Sequence, residues 1–98
     1  MSDKTKEDSL TEVFTVRWPD LRREFAFGRL YFLDSSLDIK TAANTMAQDN
    51  KTVVQSWLKD AKLKAVTEEQ VSEWEEDLEL EFLMMIVSPF VLIQLKSH

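Results

Sequence analysis

The alternation of apolar and polar residues is clearest between Ser36 and Val66, where it predicts two helices, a tight turn and a short strand. The turn before the first helix offers Ser36 or Asp38 as its N-cap. The apolar positions of this helix have amphipathic spacing, and they are Ile39, Ala42, Ala43, Met46 and Ala47. The alanines indicate that another stretch of backbone approaches closely. Asp49 or Asn50 caps the second helix, whose apolar face is Val53, Val54, Trp57 and Leu58.

Start and stop signals predict three further helical segments. Ser9 is a candidate N-cap for a first segment, whose shared face is Leu10, Val13 and Phe14. Pro19 suits the first position of the next helix, and Gly28, the single glycine of the chain, supplies the left-handed residue that ends it. Thr67 and Gln70 form a capping box, so a helix begins there. The inner face of that helix is predicted to be Val71, Trp74 and Leu78.

Two stretches have the composition or the period of short strands. Residues 30–33 are an apolar run between a glycine and a polar turn, which favours a buried strand. Residues 62–66 alternate, with Leu63 and Ala65 predicted to face inward. The β-branched run at residues 15–17 fits either a continued helix or a brief extended segment.

The period falls to two from Leu78 onward, which indicates a strand. Residues 82–94 are almost entirely apolar and are interrupted by Pro89, so they form one bent strand or two short ones. Residues 1–8 are polar and are expected to be frayed. We therefore predict a compact single α+β domain over residues 9–98, in which a helical hairpin and additional helices pack on a small, mostly antiparallel sheet.

Charge is spread unevenly along the chain. The formal net charge of the 98 residues is −6, and residues 67–98 carry −7 of charge while residues 29–66 carry +2. The chain has no cysteine, which excludes disulfides and thiolate chemistry. Its longest apolar stretch has 12 residues and its N-terminus is charged, so we expect neither a membrane span nor a signal peptide. A soluble cytoplasmic protein is the expectation.

The two central helices have the order found in winged-helix DNA-binding proteins. The outward side chains of the second helix are of types that contact bases and phosphates, and they are Lys51, Thr52, Gln55, Ser56 and Lys59. Lys62 and Lys64 on the next strand would then act as a wing. The turn has no glycine and the C-terminal acidic block would repel DNA, so a packed helical hairpin is the favoured interpretation. These seven residues are nevertheless the candidate interaction surface.

Acidic residues near the first central helix suggest a second candidate site. Asp34 and Asp38 flank one turn, and their oxygens could bind a small ligand or a divalent metal ion. Folding alone also explains these residues, because a turn requires Asp34 and an N-cap requires Asp38. Asp49 lies about 15 Å further along the helix at 1.5 Å per residue, so it would not converge with them on one ion. The single histidine is His98 at the end of the chain. We therefore predict no catalytic residues, no metal site and no cofactor.

The remaining large side chains are explained by packing. Trp18, Trp57 and Trp74 each lie on a predicted apolar face, although tryptophan also anchors interfaces. The apolar C-terminal strands could hide an edge in a homodimer. The favoured function is thus a non-catalytic interaction module with an unknown protein partner, ahead of DNA binding and of ligand or metal binding.

Several of these residues also carry a family resemblance, between about Trp18 and Leu95. The motifs are an LDL turn at residues 37–39 with an isoleucine in its last position, an alanine-rich helix, the Trp57-Leu58 pair and the closing run from Ile86 to Gln94. Together they resemble a small bacterial family, domain of unknown function 2288. The resemblance implies a bacterial cytosolic protein and brings no activity, ligand or catalytic residue with it.

Overall fold

The computed structural model describes residues 12–96. The strands along the chain are β1 (Phe14–Arg17), β2 (Leu30–Leu33), β3 (Leu63–Ala65), β4 (Glu81–Val87) and β5 (Phe90–Leu95). The helices are α1 (Trp18–Ala26), α2 (Ile39–Ala47), α3 (Lys51–Lys59) and α4 (Glu68–Glu75). The predicted α+β class is confirmed, and α2 with α3 forms the predicted helical hairpin. The predicted frayed terminus, residues 1–8, lies outside the described residues.

The strands form one mixed sheet in the order β1-β4-β5-β2-β3. Three of the four pairings are antiparallel, and β2 runs parallel to β5. Residues 82–94 are two strands, because the chain reverses at Ser88 and Pro89, which are joined by a cis peptide bond. Residues 15–17 belong to a strand, since β1 pairs with β4 and places Val16 opposite Phe82.

Side chains alternate between two covered faces of the sheet, because successive residues of a strand point to opposite sides. α1 and α4 cover the face that we call the tryptophan face, where Trp18 and Trp74 pack on Phe82 and Ile93. α2 and α3 cover the hairpin face, whose buried residues include Leu33, Leu63, Met85 and Leu92. The core therefore lies in two layers, one on each side of the sheet.

An ionic contact ties the two helices of the tryptophan face together. The indole N–H of Trp18 donates to Glu75 Oε2 at 2.6 Å, and Arg22 donates to both Glu75 oxygens at 3.0 and 2.7 Å. Hydrogen bonds from Arg22 and then from Trp18 hold the pKa of Glu75 below its ordinary value. The end of α4 is thus fixed against the start of α1.

The two helices of the hairpin face pack at different depths. Ala42 and Ala43 are fully buried, so α2 lies close to the sheet and its residues contact β4, as their small size predicts. In the part of the chain that the structure describes, no residue of α3 is buried. Val54 and Trp57 are half-buried and Leu58 is 46% exposed. The predicted apolar face of α3 is therefore only partly covered.

Several predicted positions differ from the structure. Phe14 belongs to β1 and not to a first helix, whose remaining predicted start at residues 9–11 lies outside the described range. Leu78 is 43% exposed because α4 ends at Glu75, before Leu78. Ala47 and Ala65 are exposed, and they are the last residues of α2 and β3. The capping box of Thr67 and Gln70 is confirmed by reciprocal hydrogen bonds, and its predicted inner residues Val71 and Trp74 face the core.

Left-handed backbone occurs at three described positions. Gly28 has φ +70° and ends α1, as predicted. Asp49 and Ala61 also have positive φ, at 58° and 61°, and follow the ends of α2 and α3. The left-handed conformation is therefore not confined to the glycine, because aspartate tolerates it and helix ends favour it. Asn50, not Asp49, is the N-cap of α3.

The sheet leaves its open edges at β1 and β3. β4 and β5 are each paired on both sides, so the C-terminal strands cannot form an edge-to-edge homodimer. The edge strand β3 carries Lys64, a residue type that discourages such pairing. Within residues 12–96, none of the helices has the length and apolar character needed to cross a membrane.

Candidate functional site

The hairpin face has an open groove of about 590 Å³. It lies where the end of α2, the start of α3 and the β4–β5 turn meet. Its volume is in the range of small-molecule sites. Its lining residues are Met46, Ala47, Asp49, Asn50, Lys51, Val54, Gln55, Val87, Ser88 and Phe90. The groove is the candidate functional site.

The sequence fixes the helical wall of the groove through local signals. α2 ends at Ala47, and the left-handed Asp49 reverses the chain within three residues. Asn50 then caps α3 by accepting from the Val53 N–H at 3.5 Å. Because the turn is this short, the end of one helix and the first turn of the next lie side by side.

The opposite wall is the turn between β4 and β5. Val87 is opposite Phe90 in the hairpin register, and both belong to the hairpin face. Phe90 is 38% exposed, although its ring packs edge-on against Tyr31 with centroids 5.4 Å apart. A phenyl ring thus stands partly open to solvent at the groove.

The groove combines apolar walls with a polar rim. Met46, Val54, Val87 and Phe90 supply hydrocarbon surface, and Ser88, Asn50 and Gln55 supply neutral hydrogen-bonding groups. Asp49 and Lys51 are the charged groups on the rim. This arrangement suits an apolar group that is oriented by a few polar contacts.

The structure divides the seven residues of the predicted interaction surface. Lys51 and Gln55 line the groove. Thr52, Ser56 and Lys59 are exposed on α3 but do not line it. Lys62 precedes β3, and Lys64 is opposite Phe32, on the tryptophan face of the sheet. The seven residues therefore do not form one patch.

The wing expected for the DNA-binding alternative has a different structure here. β3 pairs with β2, which precedes the helical hairpin, and the chain then continues directly into α4. In winged-helix proteins the segment after the recognition helix contacts the DNA backbone, whereas Lys64 projects from the face of the sheet opposite α3. Lys64 and α3 therefore lie on opposite sides of the sheet.

Asp34 and Asp38 serve the backbone around them. Asp34 accepts from the Ser36 N–H, and Asp38 accepts from the N–H and the hydroxyl of Thr41, each at 3.0 Å. Hydrogen bonds from Ser36, through its side chain and its N–H, lower the pKa of Asp34. Those from Thr41, its N–H first, lower the pKa of Asp38. Across residues 12–96, no group of three or more His, Cys, Asp or Glu residues could hold a metal ion.

The side chain of Gln94, on β5, hydrogen-bonds to the backbone of the same turn. This buried amide, 6% exposed, donates from Nε2 to the carbonyl of Asp34 at 2.9 Å and to that of Leu37 at 2.6 Å. Asp38 caps α2, so the start of the helix is fixed to β5 through one side chain. The turn is a structural element that positions the hairpin, and through it the groove.

Lys51 and Gln55 of the predicted interaction surface line the groove, whereas the groove residues Met46, Val87 and Phe90 were not among the candidate site residues. Helical periodicity identifies the outward side of α3, because that information is local. The contact with the β4–β5 turn depends on pairing between distant segments. The sequence signal for this wall was Pro89, which interrupts an apolar run and so indicates a turn. Apolar side chains beside such a turn can remain exposed to solvent.

Comparisons with known proteins agree with this architecture. The solution structure of PA1075 from Pseudomonas aeruginosa, determined by NMR, is similar with a TM-score of 0.83 and 28% sequence identity, covering 96% of this chain and 87% of that one. No curated protein matches the chain. A sequence model described as "Protein of unknown function (DUF2288)" matches residues 4–95. The chain therefore belongs to the DUF2288 family, as its motifs predicted.

Proposed function

We propose that the protein is a non-catalytic protein-interaction module and that the groove is its binding site. The observation that carries the proposal is the apolar wall left open between α3 and the β4–β5 turn, with Phe90 38% exposed. Small proteins need most of their apolar residues for their own core. Phe90 is one of several large apolar side chains that stay exposed, and what distinguishes it is its place at a groove, where a partner side chain would cover it.

The packing of α3 supports the same proposal. Each of its apolar residues keeps some exposure, and Leu58 continues the groove-facing side of the helix one turn beyond Val54. Burying apolar surface contributes about 25 cal/mol per Å² before the costs of association. A partner segment that covers Phe90 and Val54 and continues along α3 to Leu58 would add this burial at no cost to the existing core.

The expected occupant is a short partner segment that inserts an aliphatic or aromatic side chain into the groove. Such anchors dominate most protein interfaces when they fill a preformed pocket. The neutral rim groups, Gln55, Asn50 and Ser88, would pair with the main chain of the segment.

Selection from a library of random dodecamer peptides tests this proposal. Peptides enriched on the wild-type protein should contain an aliphatic or aromatic residue, and their binding should persist at 0.5 M NaCl because apolar contacts are not screened. Ala47→Trp fills the groove from an exposed position, so it should weaken these peptides at least tenfold. Ala26→Trp, on an exposed position of α1, is the matched control and should leave affinity unchanged.

Two results would overturn the proposal. One is a selection in which no peptide is enriched above background. The other is a set of enriched peptides that bind Ala47→Trp and wild type equally, since their site would then lie elsewhere.

A further inference from the structure

We infer that the partner segment is acidic as well as apolar, with carboxylates on both sides of the residue that enters the groove. This inference rests on the proposed function and specifies the chemistry of its partner. Its basis is the pattern of charges along α3.

α3 carries two cations and no carboxylate. Lys51 and Lys59 occupy its first and last positions, and both are exposed. Among residues 12–96 the ion pairs use Arg17, Arg22 and Lys96 as their cations. The two α3 lysines therefore keep their charge available for a partner.

The apolar side chains lie between these cations. Val54 lines the groove and Leu58, 46% exposed, follows one turn later. Lys51 and Lys59 are eight residues apart, which is about 12 Å along the helix. In an extended peptide two carboxylates four residues apart span about 13 Å, so the central residues of such a peptide would face Val54 and Leu58.

Carboxylates of the protein itself limit where the partner's charges can lie. Asp49 and Asp60 flank α3 just beyond Lys51 and Lys59, and like charges are unfavourable. They would direct the partner's carboxylates inward, to the span between the lysines. The acidic helix α4 covers the opposite face of the sheet, so the full thickness of the protein separates it from this surface.

Three synthetic heptapeptides test the inference. The first is acetyl-Ser-Glu-Ala-Phe-Leu-Glu-Ser-amide, and the other two replace both glutamates by glutamine or by lysine. At 20 mM NaCl the glutamate peptide should bind roughly 2- to 30-fold more tightly than the glutamine peptide, as expected for two exposed ion pairs. This preference should largely disappear at 0.5 M NaCl, because salt screens exposed charges.

Charge reversal provides the matched comparison. Lys51→Glu with Lys59→Glu should invert the order, so that the lysine peptide binds best. Lys40→Glu with Lys64→Glu changes the net charge by the same amount away from the groove and should preserve the order of the wild type.

The outcomes separate the inference from the proposed function. Equal binding of all three peptides, still lost in Ala47→Trp, would overturn the acidic preference while the groove remained the site. Binding of no peptide, or binding that ignores Ala47→Trp, would overturn both. A 20-base-pair duplex that binds more tightly than the glutamate peptide and is lost in the Lys51→Glu, Lys59→Glu variant would show that the partner is a nucleic acid, which also overturns the inference.

Discussion

Replacing Gln94 by methionine is expected to destabilise the protein more than any surface substitution of the same kind. The side chain keeps its length and volume but loses the amide that donates to the carbonyls of Asp34 and Leu37. Asp34 keeps one partner, because its carbonyl also accepts from the Leu37 N–H at 3.1 Å. The Leu37 carbonyl loses the shorter of the two bonds from Gln94.

The magnitude follows from these two acceptors. Losing a hydrogen bond from an acceptor that keeps another partner costs about 0.5–1.5 kcal/mol, and leaving an acceptor unpaired costs about 1–3 kcal/mol. The free energy of unfolding of Gln94→Met should therefore fall by about 2–4 kcal/mol. For a protein of this size that corresponds to a loss of roughly 8–30 °C in melting temperature.

Urea unfolding followed by tryptophan fluorescence measures this loss, with Gln48→Met as the exposed control. The control should change stability by less than about 0.5 kcal/mol. Gln94→Glu adds a pH readout: its buried carboxylate faces two carbonyls, so its folded pKa should be raised and its stability deficit should grow as pH rises from 4 to 7. A Gln94→Met melting temperature within 2 °C of wild type would refute the reasoning.

Three further predictions test the packing, a helix cap and an ion pair. Ala43→Leu should lower the free energy of unfolding by about 1–3 kcal/mol, because Ala43 is fully buried between α2 and the sheet. Ala47→Leu, at an exposed position, should leave it unchanged. Equal losses for the two variants in urea unfolding would contradict this. Thr67→Ala should cost about 1 kcal/mol through loss of the α4 N-cap, and Thr52→Ala is its exposed control. The lowered pKa of Glu75 means that its ionised form stabilises the fold, so the stability difference between wild type and Glu75→Gln should be present at pH 7 and shrink as pH falls below about 4.5. An equal difference at pH 3 and pH 7 would contradict that assignment.

Local signals predicted the four helices that the structure describes, together with a first helical segment whose described residues, Val13 and Phe14, are not helical. The capping box at Thr67 and the cap at Asp38 were predictable because each involves residues three apart. Residues 15–17 fitted either a helix or an extended segment, because the strand β1 forms only by pairing with β4, more than sixty positions away. Leu78 was assigned to α4 on periodicity, yet the helix ends at Glu75 and leaves it exposed.

The candidate site followed the same division between local and long-range information. The outward side of α3 could be predicted from helical spacing, and this identified Lys51 and Gln55. Phe90 could not be assigned to the groove, because its position depends on the β4–β5 register and on the contact with Tyr31. Lys64 was placed with α3 because the sequence does not reveal which face of the sheet it occupies.

The groove lies where the two helices of the hairpin pack at different depths. Ala42 and Ala43 let α2 lie against the sheet, whereas none of the described residues of α3 is buried. Filling such a gap normally stabilises a protein by about 0.5–2 kcal/mol. Ala47→Trp is therefore expected to keep or raise the melting temperature while it weakens peptide binding at least tenfold. These opposite effects would show that the loss of binding does not come from unfolding, because a substitution that disrupted the fold would lower the melting temperature and the affinity together.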